Sequence, residues 1–328
     1  MSGKFKVKSV RKLSELKEGD EIPTSDFATI DQSNGTFLQM EFEDDSEVSR
    51  EYLVRPGTYC IAKEGFNFVL EKTEFVNDAI LEDLIDSQEI ESKIDCFFSR
   101  LDVYKKLGFE VPKRAMLLYG PAGTGKTSNI TKVCKKYIQD NKTAVVTWAT
   151  DRFEPYDVKE FIKSFKYEGV EKLIFIAEDL GGVEMEEVRM KSDPSLLSLL
   201  DNQEKTFKIP VLILATTNHP EMFLANLANR PNRFDDKIKV GFPNGESRKK
   251  LLSFFAKDHL TISEDVFKTI SSDQCKEFSP AHMRELVIRS LIYDKTLDVV
   301  TKEMIEEIEA YKSAFPDKKK HGMGFSSR

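Results

Sequence analysis

The chain has 328 residues, of which 40% are hydrophobic and 32% charged, a balance that builds globular domains rather than a disordered or fibrous chain. At this length two or three cores are expected, and a formal net charge of -7 argues against a general nucleic-acid coat. Cys60, Cys96, Cys134 and Cys275 are widely separated and form no CxxC pair, which speaks against a zinc site or a disulfide framework. The N-terminus lacks a signal-like apolar core and no window is apolar enough to cross a bilayer, so the expectation is a soluble, cytoplasmic protein in a reducing compartment.

The first 75 residues read as short strands broken by turns. Residues 35–42, 59–62 and 66–70 alternate, and Ser33-Asn34-Gly35, Arg55-Pro56-Gly57 and Glu64-Gly65 supply turn chemistry. This predicts a β-rich N-terminal domain over 1–75, with the acidic stretch 41–51 as a solvated loop. Residues 76–107 carry Ile80, Leu84, Ile94, Phe97 and Leu101 at helical spacing and predict a helical connector.

Residues 108–243 then alternate strand and helix. Apolar runs at 116–119, 143–148, 173–177, 211–216 and 237–240 are separated by helical patterns after Thr127, around 158–165 and around 196–200. The predicted class is α/β, a mostly parallel sheet with helices on both faces. Beyond Phe242-Pro243 only helical patterns follow, at 246–257, 264–271, 280–293 and 302–314, which predicts a helical C-terminal domain over 244–316. A short basic tail, 317–328, closes the chain as a frayed terminus.

The chemistry begins at Gly120-Pro121-Ala122-Gly123-Thr124-Gly125-Lys126-Thr127, which fills every fixed position of G-x-x-x-x-G-K-[ST] directly after the strand at 115–119. Glycines let consecutive backbone N–H groups turn toward an anion, and the helix that follows adds its positive end. Lys126 reaches the outer phosphates as a point charge, while the Thr127 hydroxyl belongs in the shell of a Mg²⁺ ion. ATP with Mg²⁺ is the expected ligand.

Two further strand ends carry polar groups. Leu173-Ile174-Phe175-Ile176-Ala177-Glu178-Asp179 ends in adjacent carboxylates, where a parallel sheet places a metal-orienting acid and a water-activating acid. Val211-Leu212-Ile213-Leu214-Ala215-Thr216-Thr217-Asn218 ends in hydroxyls and an amide, and Asn218 suits the attacking water or a γ-phosphate oxygen. Arg230 and Arg233, in Asn229-Arg230-Pro231-Asn232-Arg233-Phe234-Asp235, suit the charge of a transferring phosphoryl group.

Together these motifs resemble an AAA+ ATPase of the classical AAA group. The segment from Tyr104 to Pro121 resembles that group's approach to its phosphate loop, Ala215-Thr216-Thr217-Asn218 its sensor 1, and Arg230-Pro231-Asn232-Arg233-Phe234-Asp235 its arginine-finger segment. The resemblance implies that Arg230 and Arg233 act on the γ-phosphate of a neighbouring subunit, so that the working form is a homo-hexameric ring. It also sets Arg284, in Ser279-Pro280-Ala281-His282-Met283-Arg284-Glu285-Leu286, where many AAA+ proteins have a phosphate-contacting arginine. The order Glu178-Asp179 departs from the common Asp-Glu and resembles the BCS1-like group. One register gives Glu178 the metal and Asp179 the water; the other leaves Ala177 at the metal position and makes Glu178 the base.

Phe153 or Tyr156, on the segment after the second core strand, would be a pore aromatic if the ring threads polypeptide, although the aromatic-Val/Leu-Gly triplet of threading enzymes is missing. The acidic segment 181–187 falls near a second pore loop, where it disfavours a nucleic-acid strand. The leading expectation is an ATP-hydrolysing ring that remodels a protein or complex. A clamp-loader or helicase-loader type acting with nucleic acid, and an ATP-dependent scaffold with little turnover, are the alternatives.

Overall fold

The computed structural model describes residues 30–31, 37–42, 48–64, 67–75, 87–149, 155–180, 206–218 and 234–314. These form two compact units, one built on the β-sheets and the helices before residue 164, the other on the C-terminal helices together with Pro121–Gly125.

The first unit is organised by a seven-stranded sheet. Its strands, in chain order, are β4 (Gly57–Glu64), β5 (Asn67–Lys72), β6 (Lys113–Tyr119), β7 (Thr143–Ala149), β9 (Lys172–Glu178), β10 (Val211–Thr217) and β11 (Asp236–Lys239). Across the sheet they run β11-β6-β10-β9-β7-β4-β5, parallel throughout except for β5, which pairs antiparallel with β4. The central strands read as continuous rather than alternating apolar runs because both faces are covered: Met116, Leu117 and Leu118, Leu173 to Phe175 and Val211 to Leu214 are all fully buried. Each such side chain contributes roughly 1.5–3 kcal/mol by leaving water. Helices α1 (Gln88–Ser99), α2 (Leu101–Lys106), α3 (Lys126–Tyr137) and α4 (Pro155–Lys163) belong to this unit. The fold class is that expected from the sequence.

A second, smaller sheet runs β1-β2-β3-β8, from β1 (Ile30–Asp31), β2 (Phe37–Phe42), β3 (Val48–Val54) and β8 (Phe165–Tyr167). The β3–β8 pairing is parallel, in the register Tyr52↔Phe165 to Val54↔Tyr167, and is extended by Glu168 N–H donating to Val54 O. Tyr52 stacks edge-on against Phe161 at 4.6 Å and its hydroxyl donates to Phe68 O at 2.6 Å.

This arrangement corrects three expectations. The β-rich segment is not a module separate from the core, because β4 continues from β3 through Arg55-Pro56 and hydrogen-bonds β7 in the register Gly57↔Ala144 to Cys60↔Thr147. The acidic stretch 41–51 is not one loop either: β2 runs to Phe42 and β3 starts at Val48. The helix expected at 158–165 lies instead at Pro155–Lys163, with proline at its first position, and its last expected residue, Phe165, opens β8.

The second unit contains α5 (Gly245–Ala256), α6 (Glu264–Ser271), α7 (Pro280–Ile292) and α8 (Leu297–Ala314), close to the expected helices except that α8 starts five residues earlier. Caps fix three of the starts. The Asn244 side chain accepts from Ser247 N–H, Ser263 from Val266 N–H, and Ser279 forms a capping box with His282. Leu252, Ile270, Phe278, Met283, Leu286 and Val300 make the core. Arg248, 4% exposed, sits on the same face as Leu251 and Leu252 and donates to four carbonyls, those of Pro243, Ile270, Ser271 and Ser272. A Cβ at Gly245 would lie 2.7 Å from Ser271 O, so α5 reaches this close only with glycine there. Among the described residues no helix is long and apolar enough to cross a membrane.

Candidate functional site

The C-terminal ends of β6, β9 and β10 lie side by side, and each carries one of the polar segments singled out from the sequence. Between β6 and α3 the chain turns through Gly123 (φ 72°) and Gly125 (φ 90°), left-handed torsions that an L side chain rarely adopts. Within the second unit, a Cβ at Gly123 would also stand 3.0 Å from Ser279 Oγ and 3.1 Å from Ala281 Cβ. The Thr124 hydroxyl donates to Pro121 O at 2.9 Å, closing the loop on itself.

Lys126 opens α3 and is only 7% exposed. Its Nζ donates to Gly120 O at 2.8 Å and to Asn218 Oδ1 at 2.6 Å. Burial lowers its pKa, since it disfavours the charged form, and the nearby Asp179 carboxylate opposes that shift. Asn218 in turn donates through Nδ2 to Asp179 Oδ1 at 2.7 Å. One amide therefore links the loop lysine to the second carboxylate of the acidic pair.

Glu178 is the last residue of β9 and its carboxylate accepts a hydrogen bond from the Thr127 side chain. Burial raises its pKa, the Thr127 bond draws it back, and the Asp179 charge adds to the rise. A hydroxyl and a carboxylate in contact are the hard oxygen donors that Mg²⁺ prefers, so the residues present fit the ion implied by the motif. Asp179 itself adopts φ 53°, in the left-handed region. Its N–H donates to Thr216 Oγ1 at 2.9 Å, Leu180 N–H donates to Thr216 O at 2.8 Å, and Thr217 Oγ1 donates to Leu180 O at 2.7 Å.

Lys126, Thr127, Glu178, Asp179 and Asn218, far apart in sequence, are thus brought together at one edge of the sheet. Arg230, Arg233, Phe153 and residues 181–187 lie outside the described residues; Tyr156 falls within α4. Arg284 is exposed on α7, in the second unit. The two residues after Phe234 are anchored to β6 and α1: Asp235 exchanges two hydrogen bonds with the Ala115 backbone, and Asp236 pairs with Arg114 of β6 at 2.9 Å and Lys93 of α1 at 2.7 Å. From sequence alone Thr216 and Thr217 are only hydroxyl residues at a strand end. The signal that marks them is two adjacent hydroxyls, 3% and 0% exposed, directly before Asn218.

Residues 116–242 match the ATPase family associated with various cellular activities (AAA). Similar proteins include the cell division cycle protein 48 homolog of Archaeoglobus fulgidus, 32% identical over 50% of this chain and 23% of that protein. The proteasome-activating nucleotidase of Methanocella arvoryzae is 30% identical over 54% of this chain and 44% of its own length. The proteasome-associated ATPase of Mycolicibacterium gilvum is 24% identical over 78% of this chain and 46% of its own. The chain therefore spans less than half the length of each of these relatives. The phosphate loop, the acidic end of β9 and the polar end of β10 all fall within residues 116–242, the stretch that matches the AAA family, and this part of the chain is an AAA ATPase domain.

Proposed function

We propose that the chain hydrolyses ATP as a ring of identical subunits and uses its nucleotide state to remodel a protein or a protein complex. The observation that carries this reading is the hydrogen-bonded chain Lys126–Asn218–Asp179 beside the Thr127–Glu178 pair. Residues Gly120 to Thr127 bind the phosphates through backbone N–H groups and the Lys126 ammonium. Arg284 contributes a further phosphate contact in the same proposal.

Glu178 and Thr127 hold Mg²⁺, and Asp179 takes the proton of the attacking water, with Asn218 orienting the carboxylate. This choice of register is supported by the Thr127–Glu178 hydrogen bond, which sets the Glu178 carboxylate beside the hydroxyl expected in the Mg²⁺ shell. Bound Mg²⁺ supplies neutralisation of the phosphate oxygens. Arg230 and Arg233 stabilise the transferring phosphoryl charge in a neighbour's site. A protein rather than a nucleic acid as substrate is supported by the net charge of -7, the acidic segment 181–187 and the names of the proteasome-linked relatives.

Single-turnover hydrolysis by Asp179→Asn and Glu178→Gln tests the assignment. Asp179→Asn is expected to bind ATP and to cleave it on the order of 100-fold or more slowly, the usual weight of a positioned general base. Glu178→Gln is expected to shift the Mg²⁺ dependence of the reaction to higher concentration. A near-normal rate for Asp179→Asn would remove it as water activator.

A further inference from the structure

The turn that carries Asp179 is gripped, residue by residue, from the neighbouring strand. β9 and β10 pair in parallel register as far as Ala215↔Ala177, and there the ladder stops. The next three residues of each strand, Glu178-Asp179-Leu180 and Thr216-Thr217-Asn218, are joined instead by the side-chain and backbone bonds given above. Asp179 holds φ 53°, a conformation costly for most residues with a Cβ and one that aspartate adopts as a single residue where local hydrogen bonds support it. Thr216 does this twice, its Oγ1 accepting Asp179 N–H at 2.9 Å and its carbonyl accepting Leu180 N–H at 2.8 Å. Thr217 holds the far end through Leu180 O at 2.7 Å.

The direction of the Asp179 Cα–Cβ bond follows from that backbone conformation. Only two side-chain torsions separate the backbone from the carboxylate, one fewer than in glutamate, so an aspartate has little reach with which to correct a misplaced turn. We propose that Thr216 is a positioning residue for ATP hydrolysis: its buried hydroxyl fixes the left-handed turn at Asp179 and thereby aims the carboxylate at the attacking water, with Thr217 locking the turn's exit. The inference rests on the reading of Asp179 as the water activator.

Four variants of the full-length chain test it, each assayed for ATP turnover and for affinity with a fluorescent ATP analogue. Thr216→Val keeps the shape and removes the hydroxyl; kcat is expected to fall on the order of 100-fold, the cost of misplacing a reacting group by about 1 Å, with nucleotide affinity unchanged. Thr216→Ser, which returns the hydroxyl, restores kcat. Adding Thr216→Val to Asp179→Asn slows the reaction no further, because both changes act through one carboxylate. Wild-type turnover by Thr216→Val, failure of Thr216→Ser to recover it, or a full additional loss on the Asp179→Asn background each overturns the proposal. If Asp179→Asn is inactive while Thr216→Val is not, the inference fails and the reading of Asp179 stands; if Asp179→Asn turns over normally, both fail. Should Thr216→Val not fold, Thr217→Val opens the same turn from its other end, and unchanged kcat there is equally fatal.

Discussion

Lys126 is buried and already satisfied by Gly120 O and Asn218 Oδ1, so phosphate binding exchanges one set of acceptors for another rather than desolvating a hydrated ammonium. A different residue balances on its protonation state in the second unit. Ser279 N–H donates to His282 Nδ1 at 3.1 Å, which requires that nitrogen to be bare and the ring neutral. Burial lowers the His282 pKa and the nearby Arg289 charge lowers it further. An unfolded histidine titrates near 6.5, so as pH falls below about 6.5 the unfolded chain takes up a proton that the folded chain refuses. The stabilisation is complete above that value and is lost as pH falls through the folded-state pKa. Calorimetry is expected to give a lower melting temperature at pH 5 than at pH 7.5 for the transition of this unit, with the dependence flattened in His282→Gln, which keeps an acceptor at the same helix position. The phosphate-loop residues were legible in sequence because their types and spacing are the chemistry. Asp179's torsion and the roles of Thr216 and His282 were not, because Asp, Thr and His fit many settings and only their partners distinguish them.

At the level of elements, α5 is fastened by a buried charge that hydrogen-bonds backbone carbonyls. Arg248 bonds the carbonyls of Pro243, Ile270, Ser271 and Ser272, tying the entry of α5 to the end of α6. Arg248→Met retains the buried stem and loses every donor, leaving carbonyls that water reaches poorly; urea unfolding is expected to show a loss of about 3 kcal/mol or more. The helical pattern over 246–257 does not single out Arg248, though its spacing to Leu251 and Leu252 puts it on the apolar face. Buried strands such as β9 and β10 were readable as unbroken apolar runs. β8 was not, because three residues following a helix carry no periodicity, and its partner β3 lies more than a hundred residues earlier.

At the scale of the whole molecule, the proposed ring makes each site the property of two chains. Asp179→Asn leaves a subunit unable to activate water but with its arginines intact, whereas Arg233→Ala does the reverse. Each variant alone is expected to be nearly inactive. Mixing them is expected to recover a fraction of wild-type ATPase activity, because an intact site can then meet intact arginines at mixed interfaces. Measured steady-state activity equal to the sum of the two separate preparations would rule out action in trans.

The β4–β7 pairing has a mechanical consequence. β4 has no slack linker between it and the nucleotide-binding sheet: it is bonded to β7 from Gly57 to Cys60, and β7 is bonded to β9 as far as Ala149↔Glu178. A pull along β4 loads those parallel strands in shear, where several hydrogen bonds share the force instead of breaking one after another. Tension applied along β4 would therefore reach β9, whose end holds Glu178, through β7 alone, with the stiffness of a sheet rather than the compliance of a tether.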